Sequence, residues 1–287
     1  MWRRMKKQLP KLGLGIGWRS ELALTIDRRS DLGFVEVMAE DLAAMGRVPP
    51  PFQKLRQRGV TVIPHGVSLS LGGAEPLDER RVEMLGNVAQ MLDAPFVSEH
   101  IAFVRADGVE AGHLLPLPRS RAAIDVLVAN VLRAKKLLPV PLALENIATL
   151  FAWPGAEMDE AEFLTEVLER ADVLLLLDVA NVFANARNHG WDPLTFFDRI
   201  PLERLAYVHV AGGLEKESLY HDTHTHPVAP PVLELLEELC KRVSVPGVLL
   251  ERDGKFPPDK ELTVELDAIA AAVARGTASR EECHVGK

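Results

Sequence analysis

The chain has 287 residues, 47% of them hydrophobic and 26% charged, with a formal net charge of −8. That length suits one barrel-sized domain of about 250 residues with a large core, and the composition is that of an ordinary globular protein. The acidic balance argues against nucleic acid as a partner, since duplex binders gain affinity from basic surfaces that displace counterions. No apolar stretch is long enough to span a bilayer, so no membrane partner is expected. The basic start, MWRRMKKQLPK, is followed by no apolar segment of the kind a secretory signal needs. Cys240 and Cys283 make no disulfide framework. The cytoplasm is the expected location.

In chain order, eight strands are expected at about 12–16, 34–38, 60–64, 96–103, 141–146, 173–180, 205–211 and 247–252. Helices with apolar residues at helical spacing fall between them, at 78–92, 119–138, 158–171, 231–243 and 260–273. Strand and helix alternate without a linker or a composition break, which points to one α/β domain with a parallel sheet. Eight units favour a closed (β/α)8 TIM barrel over an open doubly wound sheet. The GLGIG near the start lacks the spacing of a dinucleotide-binding loop and reads as the first strand and turn. The expected organisation is a basic extension over 1–11, a barrel over 12–275 and a frayed polar tail over 276–287.

Six apolar runs end in a metal-ligand side chain: VIPHG at His65, FVSEH at His100, LALEN at Glu145, LLLLD at Asp178, YVHV at His209 and VLLE at Glu251. Continuous apolar runs are what parallel strands covered on both faces look like. Such proteins place their chemistry at the C-terminal strand ends. Six endings restricted to His, Asp and Glu point to a shared polynuclear metal site. Buried carboxylates such as Glu145 and Asp178 are costly unless paired or metal-bound. Asn181 follows Asp178 by one turn. In YHDTHTH, Asp222 and His224 point the same way if the segment is extended, so both could reach one ion, while His221 and His226 lie beside them. Glu36, Glu40, Asp41, His113, Asn185 and Asn188 are weaker candidates for lining the mouth or orienting ligands. Arg252 and Asp253 are alternative partners for Glu251.

These residues sit in a set of stretches that resembles a known family. GLGIGWRSEL, FVEVMAED, PHGVSLSLGG, VSEHIAF, LENIATL, LLDVANVFANARNHGWDP, YVHVAGG, DTHTHPV and LLERD run from about Gly13 to Asp253. In this order the chain resembles the multinuclear non-haem iron-dependent oxygenases, the family of the methanobactin-biosynthesis oxygenase, within the xylose isomerase-like TIM barrels. The resemblance implies one iron on His65, His100 and Glu145. Glu145 would bridge to a second iron held by Asp178, His209 and Glu251, and Asn181, Asp222 and His224 would hold a third. Glu145, Asp178 and His209 are the residues expected to be catalytic. The related trinuclear zinc endonucleases typically carry His where this chain has Asn181, so the third site is expected to be weak.

The resemblance also implies two or three iron ions of mixed Fe(II)/Fe(III) valence, with O2 as co-substrate. The substrate would be a ribosomally made precursor peptide, modified most often at Cys and sometimes at Asp or Asn. A small leader-recognising partner protein is expected as well. The alternative is a divalent-metal hydrolase or isomerase on the same barrel, from which O2 consumption would separate it. A non-enzymatic metal-binding protein is the third reading, and the full ligand set argues against it.

Overall fold

Eight strands pair in parallel and close on themselves in a computed structural model of the chain, which describes residues 9–285. The strands in chain order are β1 (Gly13–Gly17), β2 (Leu32–Met38), β3 (Thr61–His65), β4 (Val97–His100), β5 (Phe103–Ala106) and β6 (Val109–Leu115). Then come β7 (Leu142–Glu145), β8 (Leu174–Asp178), β9 (Leu205–Val210), β10 (Gly212–Lys216), β11 (Leu219–His226) and β12 (Gly247–Leu250). The barrel runs β1-β12-β9-β8-β7-β4-β3-β2, while β5/β6 and β10/β11 are separate antiparallel hairpins. The helices are α1 (Ala23–Arg28), α2 (Ala39–Met45), α3 (Pro50–Gln57), α4 (Glu79–Leu92) and α5 (Arg121–Leu137). They continue with α6 (Glu160–Ala171), α7 (Val179–His189), α8 (Pro193–Arg199), α9 (Pro230–Arg242) and α10 (Asp259–Val285). The expected (β/α)8 barrel is what forms, and each expected strand is one of its staves.

Alternation along the strands builds two cores. Val35, Val37, Val62, Leu144, Leu175, Leu177, Val208 and Leu250 face outward and pack under the helices. Phe34, Ile63, Phe96, Ala143, Leu176, Tyr207 and Leu249 point inward and fill the barrel floor. Side chains two residues on share a face. The next inward layer is therefore Glu36, His65, Ser98, Glu145, Asp178, His209 and Glu251, with His100 one step above Ser98. A one-residue slip in any strand would turn its polar residue into the helix layer. Gly15 leaves room for the floor, since a Cβ there would overlap the Phe34 ring. On the outer layer, α6 buries Ala161, Leu164, Leu168 and Ala171, an i, i+3, i+4 stripe, and is capped by Asp159 accepting from Glu162 N at 3.0 Å.

Three expectations are corrected. The strand expected over 96–103 stops at His100, and the chain turns into the β5/β6 hairpin. The strand expected over 173–180 stops at Asp178, because its carboxylate accepts from Asn181 N at 2.8 Å and starts α7 at once. The segment expected as a frayed tail is helical to Val285. It lies so close to α9 that a Cβ on Gly276 would overlap the Glu237 carbonyl, and Arg280 Nη1 donates to Cys240 O at 2.5 Å and Val243 O at 2.7 Å. Most of the expected basic extension, residues 1–8, and the last two residues lie outside the described residues. Among those described, no helix is long and apolar enough to cross a membrane.

Candidate metal centre

The inward polar layer gathers at the C-terminal mouth of the barrel. His65, Glu145, Asp178, His209 and Glu251 are all buried, and the strands beneath them fix their spacing. Two groups of donor atoms, each within 4.8 Å of one another, could hold an ion: His65, His100 and Glu145, and Glu145, Asp178, His209 and Glu251. Glu145 belongs to both. Its Oε2 lies 3.5 Å from His65 Nε2 and 3.3 Å from His100 Nε2, while its Oε1 lies 3.3 Å from His209 Nδ1. Glu251 Oε2 lies 3.1 Å from His209 Nδ1 and 3.4 Å from His224 Nδ1.

A third group comes from the β10/β11 hairpin and the end of β12. Sequence reasoning placed Asn181, Asp222 and His224 together. The structure brings all three to the cavity wall and adds Asp253, which groups with His224 and Glu251. Asp222 Oδ2 sits 2.5 Å from His224 Nε2, and His224 Nδ1 lies 3.2 Å from Asp253. Arg19 holds Asp253 from the other side. The hairpin closes tightly on its base, for a Cβ on Gly212 would overlap the His226 and Pro227 carbonyls. His224 adopts φ 53°, left-handed backbone that is uncommon without glycine and gathers at functional sites.

The donor set fits cations. Glu145 Oε2, Asp178 Oδ2, Asn181 Oδ1, His209 Nδ1 and Asp222 Oδ1 are buried atoms with no hydrogen-bond partner. Buried polar atoms are rarely left so, and five converging on one cavity call for a charge-bearing ligand. Imidazole and carboxylate without thiolate suit iron, zinc or manganese.

Protons stand in for part of that charge. Burial would lower His100, but Glu145, Glu99 and Glu251 lift it to about 9. Burial would raise Glu145, yet His209, His100 and His65 outweigh it and hold the carboxyl at about 2. Asp178 goes the other way, pushed well above the usual range by burial and by the Asp222 and Glu145 charges. A metal takes only neutral imidazole, so it must displace the His100 proton at neutral pH. Zinc titration of the metal-free protein is therefore expected to release protons, with affinity rising ~10-fold per pH unit for each proton displaced, the His100 share of that rise ending at about pH 9. Calorimetry in buffers of different ionisation enthalpy measures this, and a pH-independent affinity would contradict it.

Beneath the donors runs a buried hydrogen-bond chain that sequence reasoning missed. His65 Nδ1 lies 2.8 Å from Ser98 Oγ, which lies 2.7 Å from the Tyr207 hydroxyl. Tyr207 donates to Glu36 Oε2, and the same oxygen is 2.9 Å from His209 Nε2. Glu36 accepts only, so the chain has one direction: from His65 through Ser98 and Tyr207, and from His209, both ending on Glu36. A ring held in this way by one nitrogen can offer a metal the lone pair of the other, and His65 Nε2 and His209 Nδ1 both face Glu145. His100 is oriented likewise, its Nδ1 within 3.2 Å of Gly66 O and 3.3 Å of Glu99. Glu36 thus neither lines the mouth nor meets solvent, as the sequence left open. The two-residue step from Phe34 was the signal that placed it.

The weaker candidates divide. His113 and His221 line the cavity wall, and Glu40 accepts from Val67 N at 3.1 Å. Asp41 is exposed. Asn185 and Asn188 pin loops: Asn185 accepts from Thr149 N at 2.7 Å, and Asn188 accepts from Tyr220 N at 2.7 Å. Asn146 joins β7 to β8 by accepting from Asp178 N at 2.9 Å and donating to its carbonyl at 3.0 Å. Arg252 pairs with Glu265 at 3.2 Å, away from Glu251. His226 bonds Thr223 at 2.8 Å.

A closed parallel barrel with clustered metal-ligand side chains at its C-terminal mouth defines the class. The chain belongs to the family described as the ribosomally synthesised and post-translationally modified peptide (RiPP) precursor modification enzymes MbnB/TglH/ChrH, whose model matches residues 13–274. These are the multinuclear non-haem iron-dependent oxygenases that the sequence resembled. A UPF0276 protein of Streptomyces avermitilis is 52% identical over 270 residues, covering 92% of this chain. The chain spans 55% of that relative's length. A UPF0276 protein of Anaeromyxobacter sp. is 35% identical over 272 residues, covering 94% of this chain and 96% of that one. Among solved structures, D-psicose 3-epimerase of Clostridium cellulolyticum matches with TM-score 0.60 at 12% identity, covering 93% of this chain and 99% of that one. Endonuclease IV of Thermus thermophilus matches with TM-score 0.59 at 19% identity, covering 91% and 99%. At such identities these two show the xylose isomerase-like barrel fold alone.

Proposed function

We propose that this chain is a multinuclear iron enzyme that uses O2 to modify a ribosomally made precursor peptide oxidatively, at Cys in the first instance. The observation that carries the reading is Glu145, a buried carboxylate with one oxygen facing His65 and His100 and the other facing His209. His65, His100 and Glu145 would hold one iron, and Glu145, Asp178, His209 and Glu251 a second. Asn181, Asp222 and His224 would hold a third, the first two through oxygens that lack any hydrogen bond. When bound, iron would supply a Lewis-acidic centre for a thiolate and the redox chemistry for O2.

The chain's own part is placement. A cavity of about 870 Å³ opens over the donors, roomy enough for a short stretch of peptide. Leu114, Leu115 and Phe151 line it and keep water from the reacting residue. His65, His100 and His209 enter with fixed ring nitrogens, so no side chain reorients when the peptide arrives. Glu145, Asp178 and His209 are the proposed catalytic residues because they meet at the centre of the two donor groups. Leader recognition falls to a small partner protein, testable by pull-down with products of neighbouring genes. Tight leader binding by the isolated chain would refute the need for one.

The test is elemental analysis of protein purified without oxygen, followed by O2 uptake with Cys-containing precursor peptides encoded beside its gene. Two or three irons per chain and peptide-dependent O2 uptake are expected. Mostly zinc or manganese, with no activity gained on iron reconstitution, would favour a hydrolase or isomerase.

A further inference from the structure

Beside the metal cavity lies a second, smaller chamber that the donor set does not explain. It sits between the segment joining β6 to α5, the loop joining β7 to α6, and the first turns of α6. Pro116, Ile147, Thr149 and Phe151 line both spaces, so an occupant of one is continuous with an occupant of the other. The chamber's walls are mainly apolar, with Leu117, Phe163 and Leu164 deep inside.

Three observations mark it as built for a ligand. First, the β7–α6 loop exposes three large apolar side chains together: Leu150 at 47%, Phe151 at 46% and Trp153 at 39%. Clustered exposure of this kind marks an interaction site. Secondly, that loop is pinned. Thr149 Oγ1 bonds His189 at 2.7 Å, Trp153 Nε1 donates to Pro116 O at 2.7 Å, and Glu157 N donates to Arg119 O at 2.9 Å. The aromatic rim is thus preformed. Thirdly, two buried polar atoms there have no hydrogen bond. Arg119 Nε and Glu160 Oε2 go unsatisfied although the two side chains approach to 3.6 Å. Burial pushes the Glu160 carboxyl up to about 7. Arg119 and Glu160 thus give an otherwise apolar wall one unpartnered donor and one unpartnered acceptor.

Size selects the occupant. The chamber offers about 60 Å³, and one water-sized group needs ~10–15 Å³ on the same measure. That is room for about four to six heavy atoms, enough for a leucine or isoleucine side chain and too little for an indole. Resting on the peptide reading above, we infer that this chamber is a subsite for one branched aliphatic side chain of the precursor peptide, flanking the residue held at the metal centre.

Two synthetic probes test this on the cobalt(II)-loaded protein: acetyl-Leu-Cys-Leu-amide and acetyl-Ser-Cys-Ser-amide. Cobalt–thiolate absorption reports the metal side, and the fluorescence component lost in Trp153→Phe reports the chamber. The leucine probe is expected to bind at least tenfold more tightly and to be alone in perturbing Trp153. Ala156→Leu, which fills the chamber from an exposed position, should abolish that preference and leave the serine probe unchanged. Leu164→Ala should extend acceptance to a phenylalanine probe. A thiolate band with equal affinities, or a preference that survives Ala156→Leu, overturns the subsite and leaves the peptide reading intact. A Trp153 response to the leucine probe without any thiolate band does the reverse: it supports the subsite and sinks thiol binding at the metal centre.

Discussion

Replacing Glu145 with alanine is expected to lower the metal content of the centre and abolish turnover. Glu145 is the one residue shared by the first two donor groups, so its loss leaves His65 with His100 on one side and Asp178, His209 and Glu251 on the other. Two imidazoles alone make a poor site. Iron content should fall to about one per chain or less, and turnover by ~10³-fold or more, since a metal's contribution to a transition state is several kcal/mol. His100 and His209 also lose the carboxylate that favours their charged forms. Removing one member of a buried ionic cluster costs ~3–5 kcal/mol when the rest stay charged. Here His100 can shed its proton instead, so the variant should fold, with a lowered melting temperature. Glu145→Gln keeps the volume and separates the two effects: metal should be lost with less loss of stability. Inductively coupled plasma analysis of both variants decides the matter, and wild-type iron loading in either would sink the shared-carboxylate assignment.

The donors at strand ends were legible because an acid or imidazole after four or five apolar residues has few reasons to exist. LLLLD and LALEN announce Asp178 and Glu145 before any fold is known. The hairpins were not legible. Residues 103–115 and 212–226 carry mixed polar sequence with no strong period, and β5/β6 pairs only with itself. Short α1, α2 and α8 were missed because six or seven residues give a helical period too little length to register. Asp253 was read as a partner for Glu251. It groups with Glu251 and also with His224, because its backbone N–H donates to His224 O at 2.8 Å, a cross-loop contact that no local pattern encodes. Ser98 and Tyr207, and the role of Glu36 at the end of their chain, were missed for a different reason. They sit within apolar or mixed strands rather than at run ends, and their role depends on neighbours in β3, β2 and β9 that only barrel closure brings together.

That closure gives the second large expected effect. Glu36→Gln should weaken metal binding at both donor groups, whereas Tyr207→Phe should weaken it at the His65 group alone. Glu36 is the common end of the chain, and its charge reaches His209 directly and His65 through Tyr207 and Ser98. Carboxylates behind ligating histidines typically govern ~10–100-fold in metal affinity. Glutamine keeps the shape and removes the charge, so each group should lose affinity within that range. Phenylalanine keeps the ring that packs on Phe34 and Phe96 with centroids 5.8 and 5.5 Å away. It removes only the hydroxyl, which leaves Ser98 without its acceptor and His209 still bonded to Glu36. Unsatisfied buried groups cost ~1–3 kcal/mol, so both variants should also melt at lower temperature. Stability alone does not discriminate, and metal affinity does. Zinc titration followed by calorimetry should show two binding steps in the wild type, both weakened in Glu36→Gln and one in Tyr207→Phe. Nitrogen NMR of the zinc form should show His65 bound through Nε2 and His209 through Nδ1. If Tyr207→Phe weakens both steps equally, or neither, the hydroxyl is packing rather than a link, and the two histidines are oriented independently.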